Sequence, residues 1–217
     1  MVNFLGAANQ TITLGTIQPT EDFFNIGVNK AGGDVVLAKS IQIGGILDLT
    51  NGKVTTAANA TIVVNPLSGA VINHSTASYI NGNLVRAIQT GAGTRAYDYP
   101  LGTSAFYELA TLTLTNPTGF TAIGGFFNPI IGGVAPSILE AGDLYDQILN
   151  AGVWTLAPDL PFVGSFDITL HERGYTNGGA TKYINVKRPD ALGIWANPGT
   201  HAGFSEIGSV VSCTRQD

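Results

Sequence analysis

Apolar residues in the first third of the chain come in short runs that recur at regular intervals. Ile12-Thr13-Leu14, residues 23–28, Val35-Val36-Leu37, residues 41–43 and residues 46–49 are followed by Val54, Ile62-Val63-Val64 and Val71-Ile72. About eight to twelve residues separate them, which is the spacing of short strands joined by turns. Each run is too short for a helix. Turn-forming pairs such as Gly32-Gly33, Gly44-Gly45, Asn51-Gly52 and Ser68-Gly69 break them apart.

Polar positions decide between two all-β arrangements. No Asp, Glu, Lys or Arg occurs between Val54 and Val85. A sandwich with one wet face places charges at alternate strand positions. A solenoid can instead face its coils with Thr, Ser and Asn, because each coil touches mainly its neighbours. Residues 1–85 therefore read as a short parallel β-helix-like solenoid with Ile and Val turned inward, Ile62 among them.

Longer strands are expected in residues 86–217, at 110–115, 121–127, 153–156, 165–170 and 181–187. Phe166, Ile168 and Leu170 alternate with Asp167 and Thr169, giving one buried and one wet face. Asn177-Gly178-Gly179 suits a hairpin turn between the last two strands. Residues 137–149 carry Ile138, Leu139, Leu144 and Ile148 at near-helical spacing, interrupted by Gly142, which predicts a short helix or a structured loop. The second half reads as an antiparallel β-sandwich.

Composition narrows the function classes. Charged residues make up 12% of the chain, against about 25% in an average soluble domain. The net charge of −5 and a single adjacent basic pair, Lys187-Arg188, argue against nucleic acid as a partner. Mean hydropathy is high at +0.22, yet no run approaches the roughly 20 apolar residues that a spanning helix needs, so no membrane insertion is expected. Cys213 is the only cysteine, which rules out an internal disulfide framework.

The two halves meet in residues 77–116. Tyr79, Arg86, Tyr97, Asp98, Tyr99, Tyr107 and Glu108 cluster there around Pro100-Leu101-Gly102-Thr103. Pro100 presets φ for a turn and Gly102 tolerates a positive φ, so this tetrapeptide reads as the corner that folds the second strand onto the first. Arg86 is expected to cross a tyrosine ring and reach Asp98 or Glu108. Tyr79, Arg86, Pro100, Gly102 and Tyr107 are the candidate junction residues.

Candidate chemistry is sparse. Gly91-Ala92-Gly93-Thr94-Arg95-Ala96 fits a relaxed dinucleotide pattern, but Tyr97-Asp98-Tyr99-Pro100 follows where a helix is needed, so a hairpin turn is expected. His171-Glu172-Arg173 lies on a strand, where neighbours point to opposite faces and cannot converge on one substrate. His74, His171 and His201 lack zinc spacing, and Asp143 and Asp146 lack an EF-hand pattern. No metal, cofactor or catalytic residue is expected. Trp154 reads as core. Trp195, in a Gly- and Pro-rich loop, and Tyr175 are the candidate ligand-binding aromatics, suited to stacking on a sugar.

One set of motifs carries a resemblance to a known family. Tyr79-Ile80-Asn81-Gly82-Asn83-Leu84-Val85-Arg86, then Tyr97-Asp98-Tyr99-Pro100-Leu101-Gly102-Thr103, then the strand from Tyr107 follow one another here. Together with Leu47-Asp48-Leu49-Thr50-Asn51-Gly52 upstream, and Trp154-Thr155-Leu156, Lys187-Arg188, Trp195 and Gly199 downstream, this order resembles the solenoid-plus-sandwich region of large secreted cell-surface proteins of Bacteroidetes-type bacteria, exported by type IX secretion. The resemblance implies an adhesin-like structural segment without a shared catalytic set. It places the chain at the extracellular surface, as an interior piece of a longer polypeptide. Its implied partners are a surface glycan or another surface protein. A carbohydrate-binding module of a secreted polysaccharide-degrading enzyme is the alternative.

Overall fold

The computed structural model describes residues 1–13, 20–129 and 135–217; Leu14 of the first apolar run lies outside them. The fold is all-β: a β-solenoid of four coils followed by antiparallel sheets.

Each coil presents parallel strands on three faces, as three short strands in the first two coils and two strands in the last two. The first coil is β1 (Val2–Phe4), β2 (Gln10–Ile12) and β3 (Glu21–Phe23). The second is β4 (Ile26–Asn29), β5 (Val35–Leu37) and β6 (Ile41–Ile43). The third is β7 (Leu47–Asn51) and β8 (Val54–Val63), which turns a corner and serves two faces, and the fourth is β9 (Val71–Ile72) and β10 (Ile80–Ala87). Val2, Ile26, Leu47 and Val71 stack on one face. Gln10, Val35, Val54 and Ile80 stack on the second, and Glu21, Ile41, Thr61 and Leu84 on the third. The advance per coil varies from 19 residues between Val35 and Val54 to 26 between Val54 and Ile80. Loop length absorbs that variation, so no exact period shows in the sequence.

Two forces hold the coils. Ile26, Val28, Val35, Leu37, Ile43, Leu47, Leu49, Val63 and Ile80 fill the interior with almost no exposure. Asparagines stitch one coil to the next at the corners. Asp34 N–H donates to Asn9 Oδ1 (2.8 Å), Asn51 Nδ2 to the Lys30 carbonyl (2.7 Å), Asn59 Nδ2 to the Leu37 carbonyl (2.9 Å) and Asn83 Nδ2 to the Asn59 carbonyl (2.9 Å). Those bonds satisfy corner backbone groups that a strand ladder cannot reach. The inward phase of β8 differs from expectation near its end. Thr61 and Val63 are fully buried, whereas Ile62 turns outward and is half-buried.

The sheet forks at β10. Ile80 and Asn81 pair in parallel with Leu101 and Gly102 of β11 (Thr94–Gly102), while residues 84–87 pair antiparallel with β13 (Ala122–Asn128). From β11 the first branch continues antiparallel through β12 (Tyr107–Thr118), β17 (Val163–Glu172) and β19 (Val210–Gln216) to β18 (Thr200–Ile207). The second branch adds β16 (Val153–Pro158) to β13. The boundary between residues 85 and 86 thus falls inside a strand that both halves share.

Three local expectations are corrected. The Pro100–Thr103 tetrapeptide is not a corner, because Pro100, Leu101 and Gly102 are the buried end of β11. The reversal comes after them, where Thr103 N–H donates to the Phe106 carbonyl (2.9 Å) and Thr103 Oγ1 accepts from Phe106 N–H (3.1 Å). Residues 137–149 form no helix. They hold the hairpin β14 (Ile138–Glu140) and β15 (Asp143–Tyr145), turned by Ala141 and Gly142 with φ of 53° and 89°, the positive pair of a tight hairpin. Residues 181–187 are not a strand. Both edges of β17 are already taken by β12 and β19, so this segment has no ladder to join and Asn177-Gly178-Gly179 turns no hairpin onto it. Asn185 holds it instead, donating Nδ2–H to the Cys213 and Ile168 carbonyls (2.8 and 3.3 Å) and accepting from Arg215 at its own carbonyl (3.4 Å), while Lys187 exchanges backbone bonds with Ala196 (2.8 Å each).

Candidate functional site

The junction residues meet where the sheet forks. Tyr79, 1% exposed, donates its hydroxyl to the Thr103 carbonyl (2.8 Å), and its ring lies 5.5 Å from that of Tyr107. Burial pushes the Tyr79 phenol up to about 12. Gly102 has no positive φ. Its role is close approach: a Cβ there would overlap the Phe106 carbonyl oxygen and the Tyr79 ring. Tyr107 then bonds His74 Nδ1 (2.8 Å), His74 Nε2 faces Asp98 Oδ2 (3.2 Å), and Thr111 Oγ1 donates to Asp98 Oδ1 (2.6 Å). The His74 bond, with that of Thr111, holds the Asp98 carboxyl below its ordinary range.

Arg86 is fully buried, and its guanidinium sits 5.1 Å from the Tyr97 ring centre. It reaches Asp98, but at the backbone: it donates to the carbonyls of Asp98 (2.8 Å), Ser68 (2.7 Å) and Leu67 (3.3 Å). No bond runs to Glu108 among the described residues. Desolvation lowers the Arg86 pKa. The side chain therefore ties the turn after the third coil to β11 through carbonyl groups, without a bonded carboxylate.

Between the two branches lies a cavity of about 1220 Å³. Its apolar wall is Leu112 and Leu114 of β12, Phe166, Ile168 and Leu170 of β17, and Trp154 and Leu156 of β16. Phe166, Ile168, Leu170, Trp154 and Leu156 face inward yet remain only partly buried, because the β13–β16 branch is too narrow to cover the five-stranded one.

Two acids fall in the apolar phase of those strands, Glu172 in the cavity wall and Glu108 outside it, beside Phe106 and Phe127. Glu108 falls in phase with Ala110, Leu112 and Leu114 on β12, and Glu172 in phase with Phe166, Ile168 and Leu170 on β17. The Leu109–His171 pair sets the register one residue away, so the two carboxyls are cross-strand neighbours. Glu108 is 0% exposed and Glu172 9%. Glu108 accepts Arg173 N–H (2.8 Å) and Glu172 accepts Ala151 N–H, while Oε1 of each has no partner. Desolvation raises each carboxyl to about 8. The charge pattern carried a signal for this pair: each acid occupies the apolar phase of its strand.

The other candidates lie apart. Trp195 is half-buried at the cavity rim, with the Arg188 guanidinium 4.3 Å from its ring. Tyr175 belongs to a different group, donating to Glu206 Oε1 (2.7 Å) beside Tyr183 and Asn177. Trp154 is partly buried, edge-on to Phe127, and donates Nε1–H to the Glu108 carbonyl (3.3 Å). His171 bonds Ser212 (2.7 Å) on the outer face, opposite to Glu172. Residues 91–93 form a turn, but it spans no hairpin with β10. Gly91 N–H donates to the Pro117 carbonyl (2.9 Å) and Gly93 N–H to Asn116 Oδ1 (2.8 Å), closing the far end of the β11–β12 pair. Asp143 is paired with Lys182 (2.6 Å). Among the described residues no group of three or more His, Cys, Asp or Glu is placed to hold a metal ion. Cys213 is buried and its thiol pushed up to about 12, which leaves it unreactive.

No family model, curated protein or solved structure matches this chain.

Proposed function

We propose that this chain is a non-enzymatic structural and adhesive segment of a secreted bacterial cell-surface protein. The observation that carries the reading is the shared strand β10, which belongs to the solenoid ladder through β8 and to both sandwich branches through β11 and β13. Load applied along such a body is resisted by backbone hydrogen bonds across the joint, with no flexible linker between the halves. The motif resemblance to type IX secretion substrates points the same way.

The side-chain chemistry supports a non-enzymatic reading. A general acid and base must hold different protonation states at the working pH, so environments that drive two pKa values apart mark such a pair. Glu108 and Glu172 are both driven up, by the same desolvation. His74 and Asp98 form a dyad geometry, but the hydroxyl they face is the buried Tyr107, whose phenol is shifted further from ionisation.

A glycan-binding module is the second reading, favoured by the half-buried Trp195 at the cavity rim. A glycan array with wild type and Trp195→Ala, beside mechanical pulling between the chain ends, tests both. The structural reading expects no selective sugar binding and one high-force unfolding event. Selective binding lost in Trp195→Ala establishes the module instead.

A further inference from the structure

The cavity between the sandwich branches has the features of a small-molecule site that the structural reading does not use. Its volume of about 1220 Å³ exceeds the roughly 300–1,000 Å³ typical of ligand pockets. Its apolar lining stays only partly buried although it faces the inside of a sandwich. At one end of that lining stands Glu172, nine-tenths buried, with Oε1 unpartnered.

We propose that this cavity binds an apolar organic amine, its ammonium group at Glu172 and its hydrocarbon body along Leu170, Ile168 and Phe166. A buried acceptor without a donor is costly to leave unmet, and an ammonium supplies both N–H donors and the opposite charge. Three of the four basic side chains at the wall are already engaged elsewhere: Arg215 with Glu140, Lys182 with Asp143, and Arg188 over Trp195. The fourth, Lys187, lies over the Phe166 ring (5.6 Å), six residues along β17 from Glu172 and so about 20 Å away at strand rise. Glu172 is thus the acid at its own end of β17, while at the Phe166 end Lys187 shares the wall with Asp217, whose N–H bonds the Phe166 carbonyl (3.1 Å). Only an amine gains an ion pair there, because an ammonium can displace the Glu172 proton and pair with the carboxylate left behind, whereas a fatty acid carboxylate is repelled by that same ionised form. Trp154, which donates to the backbone of the neighbouring Glu108, places an aromatic ring beside the acidic end, where a cation gains further.

Binding also makes a proton prediction. The titratable groups around Glu172 are Glu108 on β12 and Tyr175 beyond β17, and Arg173 lies against Glu108. Glu172 holds its proton at neutral pH when the cavity is empty; an arriving ammonium displaces it.

The experiment is calorimetric titration of the whole chain at pH 7 with n-octylammonium, n-octanol and octanoate, in two buffers of different ionisation enthalpy. Octylammonium is expected to bind saturably with release of a proton, and octanol and octanoate at least about tenfold more weakly, the ratio that one charge-assisted contact supports. Glu172→Gln keeps the shape and removes the charge, so octylammonium affinity is expected to drop by about tenfold or more while cooperative melting persists. Equal binding of octanol or octanoate, or no octylammonium binding, overturns the proposal. So does unchanged affinity in a folded Glu172→Gln. Should that variant fail to fold, the wild-type buffer comparison still decides, because binding without proton release contradicts a role for Glu172. None of these outcomes bears on the glycan array or on the pulling experiment.

Discussion

The Tyr79 ring fills the space in which any side chain on Gly102 would begin. Tyr79 lies in the last coil and Gly102 at the end of β11, so the contact joins the solenoid to the first sandwich strand. Gly102→Val must displace a buried ring and the backbone of the 103–106 turn together. Overpacking a filled site costs about 1–3 kcal/mol and sometimes more, and here the obstacle includes backbone. A loss of at least about 3 kcal/mol is expected from urea unfolding. A surface control has to lie away from the joint, which excludes Lys53, whose Nζ is 5.5 Å from the Tyr79 ring centre. Exposed Asp22 serves, and Asp22→Ala is expected to unfold with the wild type.

Arg86→Ala removes the donor to three carbonyls and leaves a void beside Tyr97. Unmet buried acceptors cost about 1–3 kcal/mol each. Water entering the void offsets part of that, so a net loss of about 2–4 kcal/mol is expected. Arg86→Lys keeps the charge but loses the planar fork, and is expected to recover less than half of the difference in thermal midpoint. Full recovery by lysine would show that charge alone matters there.

Inside the third coil, Thr61 is fully buried and its hydroxyl has no partner. Thr61→Val replaces it with an apolar group of the same shape and is expected to stabilise by about 1 kcal/mol. Val63→Asp is expected to destabilise far more than Ile62→Asp, because Ile62 reaches the surface. Equal urea midpoints for the two aspartates would contradict the inward phase of β8.

Stability should fall as the pH rises from acid to mildly alkaline. Glu108 and Glu172 ionise near 4.5 when unfolded and near 8 when folded. Between those values the folded chain keeps protons that the unfolded chain has released, so the stability they contribute declines by up to about 1.4 kcal/mol per pH unit per carboxyl. The Asp98 and Glu140 carboxyls act oppositely: held below their ordinary range, they stabilise above it and lose that contribution only as the solution turns acid. The expected optimum lies near pH 5. Urea midpoints at pH 5 and pH 8 check this, with Glu108→Gln and Glu172→Gln each flattening the decline.

How much of this was legible in the sequence depends on what sets each feature. The solenoid could be read because short Ile and Val runs and the uncharged stretch from Val54 to Val85 are local signals. The asparagine stitches were hidden, since they join residues about twenty apart whose pairing depends on coil length. Residues 181–187 alternate as a strand should, but strand formation needs a free edge, and edges are a property of the sheet. The 137–149 hairpin looked helical because its turn, Ala141-Gly142, falls at a spacing that leaves Ile138, Leu139 and Leu144 near helical phase. Arg86 was readable as a junction residue, while its carbonyl partners depended on a turn at residues 67–68 that only the third coil positions.

The account rests on the solenoid and sandwich being one body joined through β10. Both tryptophans, Trp154 and Trp195, lie in the second half, so tryptophan fluorescence follows the sandwich alone. Hydrogen exchange at the buried amides of β4, β5 and β7 follows the solenoid. Recorded across one urea series, the two probes are predicted to share a single midpoint, and Gly102→Val is predicted to separate them. Separate midpoints in the wild type would contradict the account, because the halves would then be independent domains that happen to touch.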